Sequence, residues 1–539
     1  MRRLGRVFHS LTSTHHFCTS STISLNHILT THLHNNSIVD ATILFEDNPT
    51  SRNIVSYNIM LALYVKNDRL RHAQKLFDEM PIKDVVSWNS MLLGLRKTKN
   101  PQRVCTCFLQ MRRTSFSPNE YSISLVLSAV NNTEFNILVA QIHSFVVRAA
   151  LNSSLFVGSA LMRGYADVGD PVALSRVFDE ILDKDISSWN ALVSGYMKMG
   201  WMREAVRVFD AMPEKNIVSW TSLMNGYIDN KRINKARSIF NKMREKNVVS
   251  WTAMISGYVQ NQHYMDALRL FPLMLKSGIP PNHFTFSSVL DACAGCCLLL
   301  TGQQVHSSIL KSGIPDDIIL LSSLVDMYAK CGDIDSAFCV FECIPNKNVV
   351  SWNTMIGGYA RHGLAARALD EFERMTRSGI KPDQVTFINV LSACAHGGMI
   401  KEGEKHFDSM AAKYRIQAVG EHYACMVDLY GRAGLLEEAV RLVKKMPIQP
   451  DVVVWGALLA ACGLHSSLEL GEFAAKGINR LKNEHPAAYS ALLKIHGEKG
   501  SWNNVTELRE MMKGNRVRKQ SAGSWVEPHS SPSYSKTIV

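Results

Sequence analysis

A pattern of apolar and polar positions returns along this chain every 31, 32, 35 or 36 residues. The segments VVSWNSMLLGL from Val85, IVSWTSLMNGY from Ile217, VVSWTAMISGY from Val248 and VVSWNTMIGGY from Val349 are copies of one motif. The fifth residue of each copy serves as a ruler and falls on Asn26, Asn58, Asn89, Ser124, Ser159, Asn190, Thr221, Thr252, Ser287, Ser322, Asn353, Ile388 and Ala424. Six residues later stands a tyrosine such as Tyr64, Tyr196 or Tyr359, and fifteen later an alanine such as Ala73, Ala205 or Ala368. Nineteen later stands a phenylalanine such as Phe77, Phe209 or Phe372. The ruler-to-tyrosine spacing fits one face of a first helix, and Ala-x-x-x-Phe is one turn of a second. A glycine such as Gly169, Gly200, Gly332 or Gly363 fits the turn between them. A single hairpin of this kind cannot bury its own apolar face, so stability has to come from stacking on the next copy.

The repeat resembles that of the pentatricopeptide-repeat family, and in particular its plant PLS subgroup, in which short, standard and long repeats alternate. Thirteen repeats are read over 22–451, with boundaries at 22–53, 54–84, 85–119, 120–154, 155–185, 186–216, 217–247, 248–282, 283–317, 318–348, 349–383, 384–419 and 420–451. The long ones carry LSAV, LDACAG and LSACAHGG. Beyond them, VVVWGALLAACGLHSSLELGE, YSALLKIHGEKGSWNNV and AGSWVEP resemble the extension motifs of the E-type subgroup over 452–527, followed by a tail at 528–539. The W-x-x-L-G-x-x-Y signature and constant period of tetratricopeptide repeats are missing. The resemblance implies an all-α, right-handed superhelical solenoid of helix-turn-helix repeats.

It also implies a site. In this family the fifth and last residues of each repeat flank one RNA base, as expected of repeat proteins that read about one base per repeat. Carried onto this chain, the pairs are Asn26 with Asn53, Asn58 with Asp84, Asn89 with Asn119, Ser159 with Asp185, Asn190 with Asn216, Thr221 with Asn247, Thr252 with Asn282, Ser322 with Asn348, and Asn353 with Asp383. The long repeats close with Ser154, Asp317 and Val419, and the last repeat with Asp451. An Asp or Asn just before a helix is also a good N-cap, which accounts for the closing residue without any ligand. Capping does not account for a polar fifth residue among apolar neighbours. An ionised Asp only accepts hydrogen bonds and suits U and G, whereas Asn also donates and suits C and A. The family adds that a fifth-position Asn prefers pyrimidines, and Thr or Ser purines. Taken together the pairs spell Y-U-Y-N-G-Y-A-A-N-A-U-N-N, 5′ to 3′. The tryptophans before the ruler, Trp88, Trp189, Trp220, Trp251 and Trp352, could stack on bases; since Tyr57 and Phe387 replace them, packing between repeats is expected instead.

Composition adds three constraints. With 59 Lys and Arg against 47 Asp and Glu, the net charge of +12 favours polyanionic partners, nucleic acid first. The first 39 residues hold no Asp or Glu, carry Arg2, Arg3 and Arg6, and are rich in Ser and Thr; residues 1–21 are therefore read as an organellar transit peptide, directed to the mitochondrion, with the plastid as alternative. The 12 cysteines imply neither disulfides nor metal, and the cluster Cys293, Cys296 and Cys297 is read as buried helical thiols. No apolar run is long enough to span a bilayer.

No catalytic residue and no cofactor is expected. Zinc deaminases need H-x-E followed by P-C-x-x-C. The triplet His496-Gly497-Glu498 has no later cysteine, the last being Cys462. Phosphate-loop and nucleophile-elbow motifs are likewise missing. E-type resemblance implies a monomeric recognition factor for C-to-U editing of single-stranded organellar RNA. Its partners would be a deaminase-bearing DYW-type relative, acting in trans, and multiple organellar RNA-editing factor proteins. Splicing, stability or translation factors, and a pure protein scaffold, are the competing classes.

Overall fold

A computed structural model describes residues 20–514 apart from 99, 115–116, 130–135, 152–153, 316 and 482–485. The residues read as the transit peptide, save the last two, and the tail at 528–539 therefore lie outside the described part. Among the described residues there are thirty α-helices, one short 3-10 turn and no strand. The first helix runs Ser20–Asn35, and first helices then begin at Ile54, Val85, Glu120, Leu155, Ile186, Ile217, Val248, His283, Ile318, Val349, Gln384, Gly420 and Val452. Most pair with a shorter or equal second helix, for instance Ile186–Lys198 with Met202–Ala211. The chain divides into two compact units, Met1–Glu245 and Lys246–Val539, each a stack of such hairpins. Within each, a first helix packs on the first helices before and after it, as Leu155–Val168 does on Glu120–Ala129 and Ile186–Lys198, and Val349–Arg361 on Ile318–Lys330 and Gln384–Gly397.

Local signals set the ends of these helices. The N-caps Asn53, Asp84, Asn216, Asn247, Asn282 and Asp383 each bond the backbone N–H three residues on, and the Ser or Thr there bonds back to the cap N–H, giving a reciprocal capping box. At the hairpin turns Gly169, Gly200, Gly332 and Gly363 have φ of 80°, 80°, 95° and 69°, the left-handed region glycine enters freely. Asp68, Lys231 and Gln262 take the same conformation without that freedom, at φ of 55°, 57° and 63°.

Three layers of contact join consecutive hairpins. The alanines at the fifteenth step, Ala73, Ala205, Ala236, Ala267, Ala337 and Ala368, are wholly buried. The phenylalanine four residues later meets the next hairpin's aromatic edge to face: Phe77 with Trp88 at 4.9 Å, Phe178 with Trp189 at 4.8 Å, Phe209 with Trp220 at 4.9 Å and Phe341 with Trp352 at 5.1 Å. The tryptophans are thus packing residues; Tyr57 on Phe45 and Phe387 on Phe372 fill the same place. The tyrosine hydroxyls are satisfied from the preceding second helix, Tyr165 by His143 and Tyr328 by His306, both at 2.9 Å.

A further ladder was not foreseen. The carbonyl at the twelfth position of a first helix, which has no N–H four residues on within the helix, receives a side-chain donor from the next hairpin: Lys66 to Leu33, Lys97 to Val65, Asn230 to Met197, His362 to Ala329, His396 to Ala360 and His465 to Gly431, at 2.7–2.9 Å.

Candidate nucleic-acid interface

The fifth residues sit in the first helices, mostly out of water. Asn58, Asn89, Thr221, Ser322 and Asn353 are 5–8% exposed, while Asn26, Ser159, Asn190 and Thr252 are half-buried. Burying an amide or hydroxyl costs stability unless it is partnered, so the partners are informative. Four of the nine pairs are brought into hydrogen-bond contact: Asn26 Nδ2 donates to Asn53 Oδ1 at 3.3 Å, Asn58 Nδ2 to Asp84 Oδ1 at 3.1 Å, Asn89 Nδ2 to Asn119 Oδ1 at 3.3 Å and Asn353 Nδ2 to Asp383 Oδ1 at 3.0 Å. No hydrogen bond joins the fifth to the closing residue in the pairs Ser159 with Asp185, Asn190 with Asn216, Thr252 with Asn282 and Ser322 with Asn348. Thr252 instead meets Thr285 Oγ1 at 2.6 Å. Thr221 turns back to Ile217 O at 2.7 Å, and Asn247 caps Ser250 at 3.0 Å. Asn26 Oδ1, Asn190 Oδ1 and Ser322 Oγ are buried with no partner.

Capping, set against base reading in the sequence, occupies only one atom of the closing side chain. The closing residue spends Oδ1 on a backbone N–H in every one of these pairs: Asn53 on Ser56, Asp84 on Ser87, Asn119 on Ser122, Asp185 on Ser188, Asn216 on Ser219, Asn247 on Ser250, Asn282 on Thr285, Asn348 on Ser351 and Asp383 on Thr386, at 2.8–3.0 Å. A capping N–H needs an oxygen, so the amide orientation is settled. The atom not used by the cap is Nδ2, a donor, for Asn, and Oδ2, an acceptor, for Asp; Asp84 Oδ2 also receives Asn58 Nδ2 at 3.3 Å. The cap thereby removes the ambiguity of the amide. Burial pushes the Asp383 carboxyl up, but the bonds from the Thr386 N–H, Asn353 Nδ2 and the Thr386 hydroxyl outweigh it and hold the group below its ordinary value. It is a charged acceptor at neutral pH.

Sequence reasoning overlooked a second row of residues. The second position of the first helix is apolar in nearly every hairpin yet faces solvent: Val218 is 58% exposed, Val249 56% and Val350 61%, with Phe156, Phe284, Ile319 and Val385 alike. Positions two and five share a helix face, so most polar pairs have an apolar neighbour of a kind that suits the face of a nucleobase. Ser187 and Glu421 interrupt the row. The signal was present in the doubled valine of VVSW, one member of which falls on the polar face.

Between the helices Leu155–Val168 and Ile186–Lys198 lies a pocket of about 400 Å³, lined among others by Ser159, Asn190, Ser194, Arg163 and Lys198. Two successive fifth residues thus share one slot with Arg163 and with Lys198, the latter paired with Asp167. The lysines before the closing residues are otherwise engaged: Lys83, Lys184, Lys215 and Lys347 each bond the carbonyl three residues back, at 2.7–3.1 Å, and lie over a phenylalanine ring at 4.9–5.5 Å.

The other chemistry singled out in the sequence is structural in its surroundings. His496 is buried, near Asn504 Nδ2 at 3.4 Å, and Glu498 faces Ser466 and Lys494. Cys293 is buried as expected, but Cys296 is half-buried and Cys297, at the left-handed C-cap of its helix, is exposed. Burial pushes the Cys394 and Cys462 thiols up to about 11, which leaves them unreactive thiols. Among the described residues no His, Cys, Asp or Glu cluster could hold a metal, and no helix is long and apolar enough to cross a membrane.

Comparison with known proteins gives matches to the PPR repeat at 55–85, 86–116, 187–217, 319–349, 385–413 and 421–448, to the PPR repeat family at 215–248, 246–295 and 347–396, and to the E motif at 465–527. Pentatricopeptide repeat-containing protein At1g50270 of Arabidopsis thaliana is 34% identical over 87% of this chain and 69% of its own length. This chain belongs to the pentatricopeptide-repeat family. Another relative, the mitochondrial pentatricopeptide repeat-containing protein At2g03880 of the same plant, is 32% identical over 87% of this chain, which spans 64% of that relative's length. Among solved structures, the pentatricopeptide repeat protein PPR10 from maize, in complex with an 18-nt psaJ RNA element, aligns with a TM-score of 0.43 and 16% identity over 92% of this chain and 80% of that one.

Proposed function

We propose that this pentatricopeptide-repeat protein binds single-stranded organellar RNA in a sequence-specific manner and marks a cytidine for conversion to uridine, the deaminase arriving in trans. The observation that carries the reading is the pairing of fifth and closing side chains at 3.0–3.3 Å in four repeats. The apolar second-position row and the net charge of +12 supply a surface for base faces and attraction for phosphates. A pure scaffold has no use for buried fifth-position amides. The E motif at 465–527 supports editing over simple occupancy, with residues 452–527 as the docking region for a DYW-type deaminase-bearing relative and for multiple organellar RNA-editing factor proteins. Mitochondrial import is supported by the acid-free, Arg-bearing start and by the mitochondrial relative.

The expected RNA is Y-U-Y-N-G-Y-A-A-N-A-U-N-N with the edited C a few nucleotides to its 3′ side. Sequencing organellar cDNA from a plant line lacking the protein tests the reading: one or more unedited C sites downstream of a match is the expected result. Intact editing with altered splicing or transcript ends would assign the occupancy role instead.

A further inference from the structure

We propose that the hydroxyl at the third position of a repeat is a positioning residue for the base read by the repeat before it, an inference that rests on the RNA-reading role above. Three hydroxyls carry it. Ser87 Oγ donates to Asn58 Oδ1 at 2.7 Å, Ser122 Oγ to Asn89 Oδ1 at 2.6 Å and Thr386 Oγ1 to Asn353 Oδ1 at 2.6 Å, and all three side chains are wholly buried. Each hydroxyl also lies 2.8–2.9 Å from the closing residue's Oδ1, so fifth, closing and third residues form a closed ring.

The ring determines which way the fifth-position amide faces. In the two repeats closed by Asp, turning the amide over would put Asn58 or Asn353 Oδ1 against a carboxylate that now receives Nδ2 at 3.0–3.1 Å, and would remove the acceptor of the third-position hydroxyl. The hydroxyl holds one end of the amide while the carboxylate holds the other. The site then presents an amide N–H beside a carboxylate Oδ2. Uracil offers a matching edge, a ring N–H flanked by carbonyl oxygens; cytosine offers a ring nitrogen that accepts, against the carboxylate. Without the hydroxyl the amide loses its fixed end, and the distinction between these two edges weakens.

The chain contains its own control. Ser188 and Ser351 occupy the same third position, but their hydroxyls donate to the backbone of Asp185 and Asn348 at 2.8 and 2.9 Å and reach no fifth residue. They contribute to the helix start alone.

The test is a competition gel-shift with the full chain and the thirteen-nucleotide RNA, carrying U or C at the eleventh nucleotide, read by Asn353 and Asp383. Thr386→Val is expected to lower the U-over-C ratio there by about two- to tenfold, the range for one net hydrogen bond, with the ratio at the second nucleotide, read by Asn58 and Asp84, unchanged. Thr386→Ser is expected to restore it, and Ser351→Ala to leave the base ratio at the tenth nucleotide untouched. A selective wild type whose ratio survives Thr386→Val overturns the positioning role and leaves the pairing of Asn353 with Asp383 standing. An equal loss of base ratio in Ser351→Ala would reduce the hydroxyl to a capping group and also overturn it. A wild type indifferent to U and C at both nucleotides overturns the RNA-reading role, and this inference with it.

Discussion

An exposed valine on the first turn of a helix is a poor use of an apolar side chain until the polar pair on the same face is considered. Val350 and Asn353 share one turn and Asp383, the cap of the next first helix, is bonded to Asn353, which gathers an apolar surface, a donor and a charged acceptor. Changing Thr221 and Thr252 to Asn is expected to move the preference at the two central A positions towards pyrimidines, each contact being worth about 1–3 kcal/mol by analogy with other base-reading pairs. A gel-shift series over the four bases checks this; an unchanged preference would refute the assignments. His422 gives a second prediction. It takes the third position, accepts from the Val419 N–H at 3.2 Å and bonds Gln384 O at 2.9 Å. Its Nδ1 must stay unprotonated, and burial lowers its pKa, against smaller raising effects from Gln384 O, Glu421 and Val419. A histidine depressed in the folded state contributes stability that is present above its unfolded value of about 6.5 and is lost as pH falls below it. His306 and His406 are depressed as well, both chiefly by burial. Denaturant midpoints should therefore fall between pH 7.5 and 5.5, and His422→Ser, the residue other repeats use, should flatten part of that fall.

At the scale of the element, each helix start is a separate local contribution. Asp185→Ala removes a cap bonded to Ser188 at 2.8 Å and should cost about 1 kcal/mol, read as a shift in denaturant midpoint. Helix packing is less forgiving where backbone meets backbone. A Cβ on Gly431 would fall 2.4 Å from Ala461 Cβ and 3.5 Å from its Cα, so Gly431→Ala should cost about 1–3 kcal/mol by overpacking. On Gly302 the obstacle is the thioether end of the flexible Met327 side chain, and the same change there should cost less. Thermal unfolding of the two variants side by side decides the order; equal losses would contradict it. Because hairpins touch mainly their neighbours, hydrogen exchange should speed up near the altered repeat rather than throughout the chain.

At the scale of the whole molecule, the proposed function would have charge govern affinity and the pairs govern choice. RNA binding should weaken linearly in log salt concentration. Arg163→Ala, which lines the slot between Ser159 and Asn190, should lessen that slope, while Lys83→Ala, whose ammonium is already bonded to Met80 O and seated on Phe77, should leave it unchanged. Titrations at four salt concentrations check both. Much of this was legible in the chain itself: the period, the paired helices, the caps and the register of fifth and closing residues are local, since each depends on residues within one turn or one hairpin. What only the tertiary structure decided are relations between residues about thirty apart: which amides meet their closing residue, which third-position hydroxyl completes the ring, how Trp352 meets Phe341, and which donor reaches the twelfth carbonyl. Periodicity places such residues in equivalent positions, but the distance between two first helices and the rotation of one against the other are set by how alanine, phenylalanine and tryptophan fill the layer between them.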